Sequence, residues 1–245
     1  ITAVAQRRFV SMAEPYCAGH DATIVAENYD GTITVRSGLD AGVANTGVAR
    51  YAGLGDQHLT CVLAETLDKT GVVVGVRTTQ SRVEVGVGAR HRVLRDGSPV
   101  DVPAEPVLRE DYAGQDFTLT VQQGQEHTVE KTMALYTSQD RALSEPFGEA
   151  RDKAMCMPEL DELLRRHVLA WDHLWARCDM EIDASERTQM VLRLHLFHLL
   201  QTVSNNSLDL DVGIPARGLH GEAYRGHIFW DETFVYPYLN LRMPE

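Results

Sequence analysis

Residues Gly213–Glu232 read GIPARGLHGEAYRGHIFWDE. The stretch is polar, aromatic and dotted with glycines, and it separates two strongly apolar segments of helical period. Within it stand Arg217, His220, Glu222, Tyr224, Arg225, His227, Trp230, Asp231 and Glu232. A segment that only joined two helices would be shorter and plainer. Gly213, Gly218, Gly221 and Gly226 let the backbone turn sharply and come close to a ligand. An aromatic face beside a carboxylate suits a sugar: the ring packs on C–H faces while the carboxylate accepts hydrogen bonds from hydroxyls. A structural polar network has the same composition, so composition alone leaves both readings open.

The flanks are read next. Asp183-Ala184-Ser185-Glu186 has the form of a capping box, with Asp183 as the cap. The helix it opens, to about Val203, is apolar on nearly every side (Met190, Val191, Leu192, Leu194, Leu196, Phe197, Leu199, Leu200). Such a helix is expected to be buried all round. His195 and His198 have a spacing that metal ligands use. No third ligand stands near them in sequence, so core or groove histidines and no metal are expected. Beyond the glycine-rich stretch, Thr233 to Leu241 reads as a second helix, broken or started by Pro237.

Upstream, Pro158 fits the first turn of a helix, with Glu159, Asp161 and Glu162 near its positive end. Leu160, Leu164, Val168, Trp171 and Trp175 recur at helical spacing. The tryptophans share their stripe with aliphatics, which favours a packed linker helix over a sugar platform. Asp140 to Ala154 reads as a surface helix interrupted by Pro146 and Gly148.

From Ile1 to about Tyr136 the pattern is β. Alternation of period two runs through ATIVAENYDGTITVRSGLD (Ala22–Asp40), where Asn28-Tyr29-Asp30-Gly31 is a turn between two strands. Further strands are expected at His58–Thr66, Val72–Thr79, Arg82–Val93, Phe117–Gln122 and His127–Tyr136. Turn signals separate them at Asp68-Lys69-Thr70-Gly71, Asp96-Gly97-Ser98-Pro99 and Gln123-Gly124-Gln125. Gly38 to Gly55 reads as a long surface loop. Short strands with regular punctuation and no helical period between them indicate an antiparallel sandwich. His20 with Asp21, and Asp56 with His58, read as chance neighbours, and Arg90-His91-Arg92 as a solvated strand face.

The balance of 35 acidic against 23 basic residues gives a net charge of −12. No basic run interrupts it, which excludes nucleic acid and anionic membrane as expected partners. The longest apolar run carries Arg193, His195 and His198, so no membrane span is expected. Cys17, Cys61, Cys156 and Cys178 form no CxxC pair. Reduced, packed thiols in a cytoplasmic protein are the expectation. The chain opens with Ile1 rather than Met, which is read as an excised or processed piece.

The string GLHGEAYRGHIFWDETFVYPYL (Gly218–Leu239) resembles the GEGYRGHxFWD segment of glycoside hydrolase family 65, the maltose, trehalose and kojibiose phosphorylases and their hydrolase relatives. The resemblance implies a fold of class α+β: an antiparallel β-sandwich (residues 1–138), a helical linker (139–182) and the first helices of an (α/α)6 catalytic barrel (183–245). It places Trp230 and Asp231 at the subsite for the transferred glucose, with Tyr224, Arg225 and His227 as support for the loop. It assigns the general acid to a glutamate downstream of Glu245, and gives no catalytic role to Glu222 or Glu232, which are read as partners for a nearby Arg or His. The substrate implied is an α-linked glucose disaccharide such as trehalose or maltose. Inorganic phosphate serves as co-substrate in the phosphorylases, with no other cofactor, and the assembly to test is a homodimer. Two further readings stand beside this one. A non-catalytic carbohydrate-binding module would need a platform of exposed strand aromatics, of which only Tyr112, Phe117 and Tyr136 are candidates. A glucoamylase-like (α/α)6 enzyme would share the layout but not the YRGHIFWD string.

Overall fold

In a computed structural model, residues 1–47, 53, 55–208, 210–215, 217–219, 224 and 227–243 are described. They form two compact units, Ile1–Arg165 and Arg166–Glu245.

The first unit is an antiparallel sandwich. Its strands are β1 (Thr2–Val10), β2 (Cys17–Ala26), β3 (Gly31–Asp40), β4 (Leu59–Thr66), β5 (Gly71–Thr78), β6 (Glu84–Arg95), β7 (Ser98–Pro99), β8 (Ala104–Arg109), β9 (Tyr112–Val121) and β10 (Glu126–Thr137). One sheet runs β1-β2-β10-β6-β5-β4, with β7 beside β6, and the other runs β3-β9-β8. The strands expected from alternation are present within a few residues, except that β2 and β9 each start five residues earlier, at Cys17 and Tyr112. The turn at Asn28–Gly31 is also present, yet β2 and β3 belong to different sheets. It is an arch, as is Gln123–Gln125 between β9 and β10, and Gln123 ties the two together through Asp30 Oδ1 and the Glu27 carbonyl. A tight hairpin does form at Asp96-Gly97, where both residues have positive φ (48° and 77°). That is the backbone a two-residue turn between twisted strands requires. Strand β8 escapes alternation because Pro106 interrupts it; it lies at a sheet edge, where a missing N–H is tolerated. The expected loop at Gly38–Gly55 is strand as far as Asp40, and residues 48–52 and 54 lie outside the described residues.

Two apolar clusters fill the space between the sheets. Ile24, Val93, Phe117, Leu119, Val121 and Val129 make one, and Leu39, Val72, Val74, Val76, Ala89 and Ala113 the other. Polar bridges also cross from sheet to sheet. The Ser37 hydroxyl lies 2.9 Å from His91 Nε2, while Nδ1 lies 2.9 Å from the Thr70 carbonyl. Lys131 Nζ donates to the Gly38 carbonyl at 3.1 Å. The expectation of a solvated face for Arg90-His91-Arg92 is corrected here. His91 is buried, Arg92 pairs with Glu130 (2.7 Å) and Glu159 (2.5 Å), and Arg90 donates to the Met155 carbonyl. Strand alternation sends the imidazole inward and both guanidiniums outward, where acids and a carbonyl meet them. His20 and Asp21 likewise diverge: Asp21 is buried against Arg7.

Helix α1 (Pro146–Met155) corrects the reading of Asp140 to Ala154. Pro146 opens the helix, where its missing N–H costs nothing, and Glu145 caps it through Phe147 N and Gly148 N. The helix is not superficial, since Ala150 and Ala154 are fully buried. It lies on a strip of side-chain-free strand. A Cβ on Gly88 would stand 2.2 Å from the Ala150 carbonyl oxygen, and one on Gly86 would stand 2.4 Å from that of Pro146. Gly75, directly opposite Gly86 in the ladder, clears the ring of Phe147 in the same way.

Helix α2 spans Leu160–Cys178, so Pro158 lies just outside its first turn rather than in it. Its buried positions are Leu160, Leu163, Leu174 and Cys178, whereas Val168 is 48% exposed; the expected stripe is rotated. In the second unit, Trp171 stacks near Trp175 and meets Phe197 at 4.9 Å, so both rings serve packing. Helix α3 (Glu186–Thr202) is capped by Ser185, whose hydroxyl accepts from Thr188 N, and not by Asp183. Arg193 makes a two-pronged pair with Asp179, stapling the α2–α3 turn. The expectation that α3 is buried all round is also overturned. Leu196 and Leu200 are buried, but Met190 (64%), Val191 and Leu194 (50%) are exposed. The rest of this unit's described chain covers one side of α3 and leaves the other open.

Candidate functional site

The glycine-rich stretch follows a single 3₁₀ turn at Asn205–Ser207 and leads into helix α4 (Glu232–Arg242). Pro237 neither breaks nor starts α4, which runs through it. The helix is anchored at its far end instead. Arg177 donates to the Arg242 carbonyl (3.1 and 2.9 Å), and Arg242 donates to the Arg177 carbonyl at 3.1 Å. Each cation thus caps the negative end of the other's helix. Tyr238 donates to the Cys178 carbonyl beside them, and burial pushes its phenol up to about 12.

His220, Glu222 and Arg225 lie outside the described residues. Of the others, Tyr224 takes a left-handed backbone (φ 56°), and its carbonyl accepts from His227 N at 3.2 Å. Its ring meets Phe229 edge-on at 5.2 Å, and the Arg217 guanidinium sits 5.8 Å above it. His227 also faces Phe229, at 6.0 Å between rings. Tyr224 and His227 therefore meet on Phe229, a residue the sequence did not single out. Trp230 is 70% exposed and touches Phe234, one helical turn further on, at 5.5 Å. The Trp230 carbonyl accepts from both the Thr233 amide and hydroxyl, fixing the backbone where the loop becomes helix.

Asp231 occupies the cap position of α4, yet its side chain caps nothing. Among the described residues no cation pairs with it, and the Arg217 guanidinium lies over the Tyr224 ring instead. The result is an exposed carboxylate beside an exposed indole. Glu232 points the other way. It is buried, and it accepts from Ile214 N at 2.9 Å and from the Tyr236 hydroxyl. Its expected partner, an Arg or His, is thus replaced by a backbone amide and a phenol. The Glu232–Tyr236 spacing of four on a helix was the available signal. The hydrogen bond to Glu232 raises the Tyr236 phenol above its ordinary range.

The sandwich offers a cavity of about 550 Å³, lined by Arg90, Arg92, Phe117, Glu130 and Glu159 among others. Arg92 is already answered by Glu130 and Glu159, and Phe117 is part of the core. Tyr136 stacks on Tyr16 at 4.6 Å, Tyr112 lies under Arg109 and Phe117 is buried, so each of the three candidate strand aromatics is engaged within the sandwich. Among the described residues no three His, Cys, Asp or Glu side chains gather as metal ligands, all four cysteines are free thiols, and no helix is long and apolar enough to cross a membrane.

Residues 1–174 match the glycosyl hydrolase family 65 N-terminal domain and residues 193–245 the family's central catalytic domain; the chain belongs to glycoside hydrolase family 65. It is 41% identical over its whole length to an uncharacterized glycosyl hydrolase of Mycobacterium tuberculosis (strain ATCC 25618 / H37Rv), of which it covers 18%. It is 30% identical, again over its whole length, to a kojibiose phosphorylase of Caldanaerobacter subterraneus subsp. tengcongensis, covering 32% of that protein. A solved structure, a putative kojibiose phosphorylase from human microbiome, matches 97% of this chain with a TM-score of 0.79 at 20% identity, over 30% of its own length. The chain therefore spans between about a fifth and a third of these relatives.

Proposed function

We propose that this chain carries part of the glucose-binding subsite of an inverting α-glucoside phosphorylase or hydrolase that acts on a disaccharide such as trehalose or maltose. The observation that carries the reading is the pair at the head of α4: Asp231, with no partner of its own among the described residues, beside the exposed ring of Trp230. A carboxylate left open in this way is free to accept hydroxyl hydrogen bonds, and the indole supplies a wall for the sugar's C–H face. The phosphorylases among the relatives support an α-linked glucose disaccharide as substrate class.

In the reaction, a general acid protonates the glycosidic oxygen while phosphate, or base-activated water, attacks the anomeric carbon from the opposite face. Asp231 takes no part in that proton transfer. It holds glucose hydroxyls, and any of those bonds that tighten toward the transition state add to the rate. The acid is assigned to neither Glu222 nor Glu232. No metal or organic cofactor is required, and inorganic phosphate is co-substrate in the phosphorolytic case.

The test is Asp231→Ala in the gene's full-length product. Turnover is expected to fall by at least ~10²-fold, the scale of losing more than one charged hydrogen bond of about 1.5–3 kcal/mol each, with the melting temperature nearly unchanged. Near-normal turnover in the folded variant removes Asp231 from the sugar site. The 245-residue chain alone is expected to release neither glucose nor glucose 1-phosphate from maltose or trehalose. Measurable release would return Glu222 and Glu232 to consideration as acid or base.

A further inference from the structure

Glu232 is the one buried acidic side chain among the described residues of the second unit, and its two oxygens hold two separate pieces of chain. Oε1 accepts from the Ile214 amide at 2.9 Å, where the glycine-rich stretch departs. Oε2 accepts from the Tyr236 hydroxyl, one turn along the helix into which the stretch returns. Gly213 is pressed against the same carboxylate. A Cβ there would stand 2.5 Å from Glu232 Oε1 and 2.6 Å from Ile228 Cγ1. The outgoing and returning ends of the loop thus meet at one side chain.

That meeting has a physical consequence for the residues between the ends. A loop with unfastened ends samples many arrangements, and closing it costs chain entropy. The two bonds to Glu232, one of them to a backbone amide, offset that cost in a partly dry setting where a charge-assisted hydrogen bond is strong. Trp230 and Asp231 lie immediately before the fastened point, so their placement is set by it.

The geometry points to Glu232 as a positioning residue: through Ile214 and Tyr236 it closes the 214–231 loop and holds Trp230 and Asp231 in the arrangement that grips the glucosyl unit of an α-glucoside. This rests on the glucose-subsite reading above. Glu232 is given no contact with the sugar, because it is buried and both of its oxygens are turned to groups within the chain.

Releasing the loop lowers the fraction of molecules with a competent subsite. Apparent affinity falls by that fraction, while substrate at saturation selects the competent state again. A KM effect without a kcat effect is therefore the signature. A residue that only stabilised the fold would lower the amount of active enzyme and leave KM alone. Four variants of the gene's full-length product are compared on whichever of maltose, trehalose or kojibiose it cleaves, with melting temperatures in parallel. Glu232→Ala is expected to raise KM about tenfold, with kcat per folded molecule within about twofold. In Glu232→Gln the amide oxygen still accepts from Ile214 and the amide nitrogen donates to the Tyr236 oxygen, so KM returns to within about twofold of wild type. Tyr236→Phe loses one of the two bonds and raises KM about threefold, which keeps the test decisive if Glu232→Ala does not fold. Asp231→Ala reports on the underlying reading. If it abolishes turnover while neither Glu232→Ala nor Tyr236→Phe moves KM, the positioning role is overturned and the subsite stands. If Asp231→Ala is near normal, or no disaccharide is cleaved, the subsite reading falls and the positioning role with it.

Discussion

Phe117 is 2% exposed in the sandwich, and Phe234 is 71% exposed on the first turns of α4. The same contrast holds between the units that carry them. In the first, Val72, Ala89 and Leu119 are fully buried, because two sheets supply both walls. In the second, Met190 and Leu194 on α3, and Ile228 and Trp230 just ahead of α4, stand open. Apolar content becomes burial only where the chain supplies an opposite wall. The sandwich does so from within its own sequence, while the described residues of the helical unit leave Trp230 and its neighbours uncovered.

The contrast breaks or sharpens at three points of decreasing size. Phe117→Ala should cost about 3–5 kcal/mol of unfolding free energy, the range for emptying a buried ring, read as a lower denaturant midpoint at unchanged slope. A loss below about 1 kcal/mol would mean that the first core is not closed. The second point is His91. Burial pushes its imidazole down to about 4, against about 6.5 unfolded. The unfolded chain therefore binds the proton first on acidification. The contribution is fully present above about pH 6.5 and is lost as pH falls toward 4, by up to about 3 kcal/mol. Unfolding titrations across that window should give a shallower pH slope for His91→Gln than for the parent, and equal slopes would remove the effect. Last, Phe234→Ala should change stability by less than about 0.5 kcal/mol; a core-sized loss there would show that α4 is covered after all.

Alternation and turn residues made the sandwich legible at seven of its ten strands, all but β1, β7 and β8, because period two is a property of each strand alone. Pairing between sheets was not legible: Asn28–Gly31 turns the chain in the same way whether it makes a hairpin or an arch. The helix α1 was misread because Gly86 and Gly88, on another element, decide that it sinks into the sheet. For α3, the apolar residues were counted correctly, but their covering is not encoded in the helix itself. At the candidate site, the motif made Trp230 and Asp231 visible. Phe229 and Tyr236 were missed because their roles depend on which rings and carboxylates the loop brings together.

The glycine strip under α1 also sets an order of assembly. The central strand β10 must slot between β2 and β6, so the large sheet cannot be completed until residue 137 has been synthesised. Helix α1 is the next element to emerge, and it lands on bare strand backbone that no side chain protects in the meantime. Its landing also fixes where the polypeptide leaves the sheet, since Arg90 grips the carbonyl of Met155 at the last residue of the helix. In a chain made from its N-terminus, every residue of that closure precedes the candidate loop, so the scaffold can be sealed before the loop is made.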